Sequence, residues 1–149
     1  MTIVSLKRWI ALGGLSVGTF AALPSQAGDI LMYARNNCSG PVAFRYPAGR
    51  AIKESCKSDR AVCRNKNDEA RSMKVTGSSR PYEIRLYDGP SGGTDDDYSI
   101  IQFRKFKPGY RDYCVTTFER TGLLAEQGQI TYKRKNGLDG KVSYVVIYP

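Results

Sequence analysis

The side chains that catalysis draws on most often are scarce in this sequence. Its 149 residues contain no histidine, which excludes Ser-His-Asp and Cys-His triads, His-ligated zinc and any imidazole proton shuttle. Acid–base work would fall to carboxylates such as Glu83, Asp88, Glu119 and Glu126, and their spacing marks out no pair. No nucleophile elbow, phosphate loop or dinucleotide fingerprint occurs. A protein that is not an enzyme and needs no cofactor is expected.

Charge is the richer signal, with 23 Lys and Arg against 14 Asp and Glu, a net +9. Arg104, Lys105, Lys107 and Arg111 surround Tyr110 and Tyr113, and Lys133, Arg134 and Lys135 adjoin Tyr132. Gathered on one face, these residues would bind a polyanion, with tyrosines stacking on bases or sugars. Dispersed, they are solvated strand edges where Lys blocks edge-to-edge association. Asp95-Asp96-Asp97 after Ser91-Gly92-Gly93-Thr94 is an acidic loop in a basic protein. Its spacing is irregular for cation ligands. A solvated turn with Asx side chains capping nearby amides is expected.

Residues 1–27 read as a signal peptide. Lys7 and Arg8 form the positive start, Trp9 to Leu23 an apolar stretch, and Pro24 breaks it before Ser25-Gln26-Ala27. Gly13, Gly14 and Gly18 interrupt the stretch, which falls short of the roughly 20 residues a membrane span needs. Cleavage after Ala27 would leave residues 28–149, one domain with 21 basic and 14 acidic residues, a balance of +7. No membrane span is expected in this mature chain, which would be periplasmic or secreted. An exported domain meets an oxidising compartment, so Cys38, Cys56, Cys63 and Cys114 should form two disulfides. Cys56 and Cys63, with six residues between them, fit no CxxC metal knuckle. Three pairings are open; the one with the shortest loop joins Cys56 to Cys63 and Cys38 to Cys114.

The elements that must carry these residues are strands. Sustained helical periodicity is absent, and short β-branched or aromatic runs alternate with Gly, Pro and Asn. About eight strands are expected: Asp29–Ala34, Pro41–Tyr46, Arg71–Thr76, Tyr82–Tyr87, Tyr98–Phe103, Asp112–Phe118, Gln129–Arg134 and Lys141–Tyr148. Glu83 and Arg85 should face solvent while Ile84 and Leu86 face a core. Val142–Ile147, apolar on both faces, should lie centrally, with Val145 and Ile147 in the core. Asn136-Gly137 signals a turn. A helical turn or two is expected only within Arg120–Gln127, and Ala48–Asn67 reads as a long disulfide-tied surface connection. The class is all-β, a disulfide-tied sandwich or barrel.

The two halves repeat. Asp68–Val75 and Asp139–Val146 share Asp-x-x-x-Ser-x-x-Val, with Ser72 and Ser143 in register. Upstream stand Ile30-Leu31-Met32-Tyr33 and then Gly40, and Ile84-Arg85-Leu86-Tyr87 and then Gly93. Each half reads as a strand ending in Tyr, a Gly-containing hairpin, a connection, and a Ser opening the last strand. Gly permits the folded hairpin, the Ser hydroxyl would fasten it, and Tyr would pack beneath it.

This order resembles the βγ-crystallin domain, over Ile30 to Tyr148. The resemblance implies two Greek-key motifs forming one β-sandwich, with motif one about 29–76 and motif two about 82–148. Tyr33 and Gly40 match the family's interval, whereas Tyr87 and Gly93 stand one residue short. Cys38 replaces an aromatic residue common before that Gly. The family's calcium motif is matched by Asn67-Asp68-Glu69-Ala70-Arg71-Ser72 except at Arg71, and its second copy by Asp139 with Val142 at the hydroxyl position. Both departures remove an oxygen ligand from an ion that takes six to eight. Weak or absent calcium binding at Asp68 and Asp139 is expected. Exported microbial members include calcium-binding, proteinase-inhibitor and killer-toxin-like proteins. The resemblance thus implies a binding protein, inhibitor-like or toxin-like toward a protein or cell surface; the alternative is a cationic module for anionic envelope polymers or nucleic acid.

Overall fold

The computed structural model describes residues 28–77, 82–104, 112–125 and 127–149. They form ten strands: β1 (Asp29–Arg35), β2 (Ser39–Pro47), β3 (Ile52–Ser55), β4 (Ser72–Thr76), β5 (Tyr82–Tyr87), β6 (Tyr98–Phe103), β7 (Asp112–Val115), β8 (Gly122–Leu123), β9 (Gly128–Lys133) and β10 (Tyr144–Tyr148). No helix occurs among the described residues, and none there is long and apolar enough to cross a membrane. The expected signal peptide lies outside them.

The strands make two antiparallel sheets, ordered β2-β1-β4-β7 and β3-β10-β5-β6-β9-β8. β3 leaves the sheet of its sequence neighbours to pair with β10, and β7 crosses the other way to pair with β4. The halves therefore interlock.

Period-2 alternation builds the core. Ile84 and Leu86 on β5, and Val145 and Ile147 on β10, are buried in one cluster with Ile30, Met32, Met73 and Val75 from the other sheet. Each such side chain contributes about 1.5–3 kcal/mol on leaving water. β10 lies between β3 and β5, as its two apolar faces require. Val142 is also fully buried, although it precedes the strand.

Three expectations are corrected. Ala48–Asn67 contains β3, because Ile52 pairs opposite Ile147 and packs on the core while Lys53 is exposed. Charged neighbours hide that alternation in the sequence. Arg120–Gln127 holds no helix in its described part; Gly122 and Leu123 extend the sheet beside β9, and Leu124 turns into the core. The expected strand to Phe118 stops at Val115, since Asn37 N–H takes the Thr116 carbonyl at 2.8 Å and Phe118 packs inward.

Both disulfides form. Cys38–Cys114 ties the β1–β2 turn to β7, and Cys56–Cys63 closes a loop after β3.

Candidate binding loops

The β1–β2 turn is fastened by Ser72. Its Oγ donates to the Arg35 carbonyl and accepts from Cys38 N–H at 2.9 Å. The turn needs such a tie because Asn37 and Cys38 both sit at positive φ, 59° and 51°. Gly40 follows at φ 75°. In β1 the Tyr33 carbonyl accepts from Arg71 N–H, and in β5 the Tyr87 carbonyl accepts from Ser143 N–H, both at 2.8 Å. Each strand-ending Tyr is thus held by main chain at the opening of the half's last strand, from Arg71 in the first half and from the repeat Ser143 itself in the second.

The second half departs from the expected hairpin. β5 and β6 are joined by residues 88–97, closed by Asp88 N–H to the Asp97 carbonyl at 3.0 Å. Gly93 is exposed, and a Cβ there would meet only Ser91 Oγ and Asp95 Oδ2, both at 3.9 Å. Gly92 instead adopts φ 72°, and a Cβ there would lie 2.8 Å from the Tyr144 ring. The conformational role expected of Gly93 belongs to Gly92, because the loop closes by packing onto Tyr144.

Asp97 anchors this connection. Its fully buried carboxylate accepts from Tyr132 hydroxyl at 2.7 Å, Lys135 N–H at 2.8 Å and Asn136 N–H at 2.7 Å. Burial pushes its pKa up, but these bonds and one from the Gly137 amide outweigh that and hold it at about 2. The same burial and bond push the Tyr132 hydroxyl up. Lys133 Nζ donates to the Thr94 carbonyl at 3.1 Å and Lys135 Nζ to the Asp95 carbonyl at 3.3 Å. The acidic loop and the Lys133–Lys135 cluster, separate in sequence, face each other.

Asp88, Asp96 and Asp97 bring carboxylate oxygens within 4.8 Å of one another. Burial, then the charge of Asp96, raises the Asp88 pKa, with Lys141 opposing. Asp97 uses both oxygens on the donors above, and Asp96 Oδ1 accepts from Asp97 N–H. Asp96 caps a neighbouring amide as expected of this loop, whereas Asp97, expected in a solvated turn, is buried and caps the distant Lys135 and Asn136 amides.

The calcium positions do not converge on free oxygens. Asp139 accepts from Thr117 hydroxyl at 2.8 Å and Phe118 N–H at 3.0 Å, while burial raises its pKa. Arg71 Nη1 donates to the Asp139 carbonyl at 3.3 Å, placing a cation beside it. Asp68 is exposed, accepting from Asn67 Nδ2 at 3.1 Å.

The disulfide loop has its own carboxylate anchor, which the sequence reading did not single out. Glu54 Oε1 accepts from Tyr46 hydroxyl at 2.7 Å, Val62 N–H at 2.9 Å and Cys63 N–H at 3.3 Å. Its position in the Ile52-x-Glu54-x-Cys56 alternation was the available clue. Four four-residue turns, closed by the N–H groups of Ser58, Ala61, Arg64 and Lys66, coil the segment beyond it.

Of the first basic cluster, Arg104 is exposed beyond β6, whereas Lys105, Lys107 and Arg111 lie outside the described residues. Glu83 pairs with Arg85, and Glu119 accepts from Leu138 and Asp139 N–H; Glu126 lies outside the described residues. No protein-family model, curated protein or solved structure matches this chain.

Proposed function

We propose that this chain is an exported, non-catalytic binding protein of βγ-crystallin-like architecture, presenting two braced connections to a macromolecular partner in an inhibitor-like or toxin-like role. The carrying observation is that each long connection is fastened by one carboxylate, Glu54 behind the disulfide loop and Asp97 behind the β5–β6 loop. Loops already ordered on a stiff scaffold lose little entropy on binding.

The strand exchange supports the architectural reading. Each sheet combines the second, first and fourth strands of one half with the third of the other, with β8 and β9 added at one edge. Two interlocked copies of one Greek-key unit would give that order. The two disulfides accord with an oxidising compartment.

Consecutive turns coil the Cys56–Cys63 loop instead of extending it. A concave protein surface suits it better than a cleft that reads a stretched peptide. Engagement of Lys133 and Lys135 with the acidic loop argues against polyanion binding through that cluster.

Pull-down of the protein from envelope and culture fractions at two salt concentrations is the test. A stoichiometric protein partner that survives physiological salt, and is lost in Arg60→Glu on the disulfide loop, is the expected result. Retention of polyanions only, lost in salt, would overturn it.

A further inference from the structure

Of the two edges of the six-stranded sheet, β8 is two residues long, whereas β3 runs over Ile52–Ser55 beside β10. Cys56 N–H donates to the Ser143 carbonyl at 2.9 Å, and in antiparallel register every second residue then turns its main chain toward β10. Those residues are Ile52 and Glu54. Lys53 and Ser55 turn theirs to the open side. The Ser55 carbonyl accepts from Ser58 N–H at 2.9 Å. Lys53 N–H, the Lys53 carbonyl and Ser55 N–H have no main-chain partner among the described residues.

Charge gathers at the same edge. Residues 50–66 carry six cations and two carboxylates. Both carboxylates are engaged, Glu54 Oε1 with the Tyr46 hydroxyl and two loop amides, and Asp59 with Arg64 at 3.2 Å. Arg50, Lys53 and Lys57 stand before, on and after the strand. They are exposed and pair with no carboxylate among the described residues. The inner side of the edge is apolar instead: Ile52 packs on the core, and Val62, whose N–H is held by Glu54, is 52% exposed.

We propose that the open edge of β3 takes an extended acidic segment of a partner protein as an added antiparallel strand. The unpaired groups of Lys53 and Ser55 continue the ladder, as in other strand additions. A residue set opposite Lys53 lies on the same face as its ammonium, where a carboxylate makes a cross-strand ion pair. The alternate side chains of that segment fall on the inner side, where an apolar residue covers Ile52 and Val62. Lys53 repels a second copy of this edge and admits an acidic strand. A nucleic acid would meet the cations without continuing the ladder. The inference deepens the loop-mediated reading and rests on it for the partner being a protein.

Fluorescence anisotropy with a peptide of about ten residues alternating Glu and Val, its Lys–Val counterpart and a single-stranded oligonucleotide tests the assignment. The Glu–Val peptide is expected to bind and to exceed both other probes. Lys53→Glu should weaken it about ten-fold by like-charge repulsion. Ser55→Pro removes an edge N–H while leaving every cation in place, and should weaken it several-fold. Hydrogen exchange at the Lys53 amide, slowed by the bound peptide in the parent protein, serves if Ser55→Pro does not fold. No Glu–Val binding, equal binding of either other probe, parental affinity in folded Lys53→Glu, or unchanged exchange at Lys53 would overturn the proposal. A partner recovered in the pull-down with no peptide binding overturns the edge assignment and spares the loop reading. Recovery of polyanions alone overturns the loop reading, while the peptide affinities still decide the edge.

Discussion

The phenolic hydroxyl of Tyr132 on β9 donates to Oδ1 of Asp97 at 2.7 Å, fastening the loop that leads into β6 to the neighbouring strand. Removing the carboxylate leaves this hydroxyl and the Lys135 and Asn136 amides without their acceptor. Asp97→Ala should cost about 3 kcal/mol, read as a shifted urea midpoint.

The same carboxylate sets an acid limb of stability. Its folded pKa of about 2 lies below its ordinary 3.8. The stabilisation is therefore complete above about pH 4 and lost as pH falls toward 2, amounting to about 2 kcal/mol. Urea midpoints measured from pH 6 to pH 2 should show this loss in the parent and a flatter profile in Asp97→Asn.

Ser72→Ala tests the β1–β2 fastening. The Cys38 amide loses its acceptor while Asn37 and Cys38 remain at positive φ, so a cost of about 1–3 kcal/mol is expected. Faster hydrogen exchange at the Cys38 amide should accompany it, with β5 and β6 amides unchanged apart from the global loss.

Gly92→Ala and Gly93→Ala should differ sharply. At Gly92 a methyl group meets the Tyr144 ring at a φ that L-residues avoid, whereas at Gly93 it makes only ordinary contacts at 3.9 Å. Thermal melts should show a loss of about 1–2 kcal/mol for the first and almost none for the second.

The disulfides should contribute unequally. Cys38–Cys114 joins residues 76 apart and Cys56–Cys63 residues seven apart. Loop-closure entropy gives about 4.5 and about 2.5 kcal/mol respectively. Paired Cys→Ala variants compared by urea denaturation check the order, and reversal would mean that native contacts rather than chain entropy dominate.

The all-β class was legible because apolar residues recur every second position between turn formers, and that period survives without tertiary information. Ile84, Leu86, Val145 and Ile147 reach the core for this reason. β3 was not legible, since its four residues Ile-Lys-Glu-Ser carry one aliphatic side chain and gain strand character only by pairing with β10. β8, two residues long, likewise depends on β9. Gly93 and Gly92 are indistinguishable by type, and only the packing of the loop on Tyr144 selects between them.

By itself the sequence determined the strand alternation, the absence of imidazole chemistry and the repeated Asp-x-x-x-Ser order. These are local properties of residue type and period, and they need no partner to be expressed. Tertiary structure decided which of three cysteine pairings forms, that β3 and β7 exchange sheets, and that Lys133 and Lys135 meet the acidic loop. It also set Tyr98 beside Tyr87 and Tyr144 on one face. Each of these is a meeting of residues distant along the chain, and the geometry that joins them exists only once the sheets have closed on their shared core.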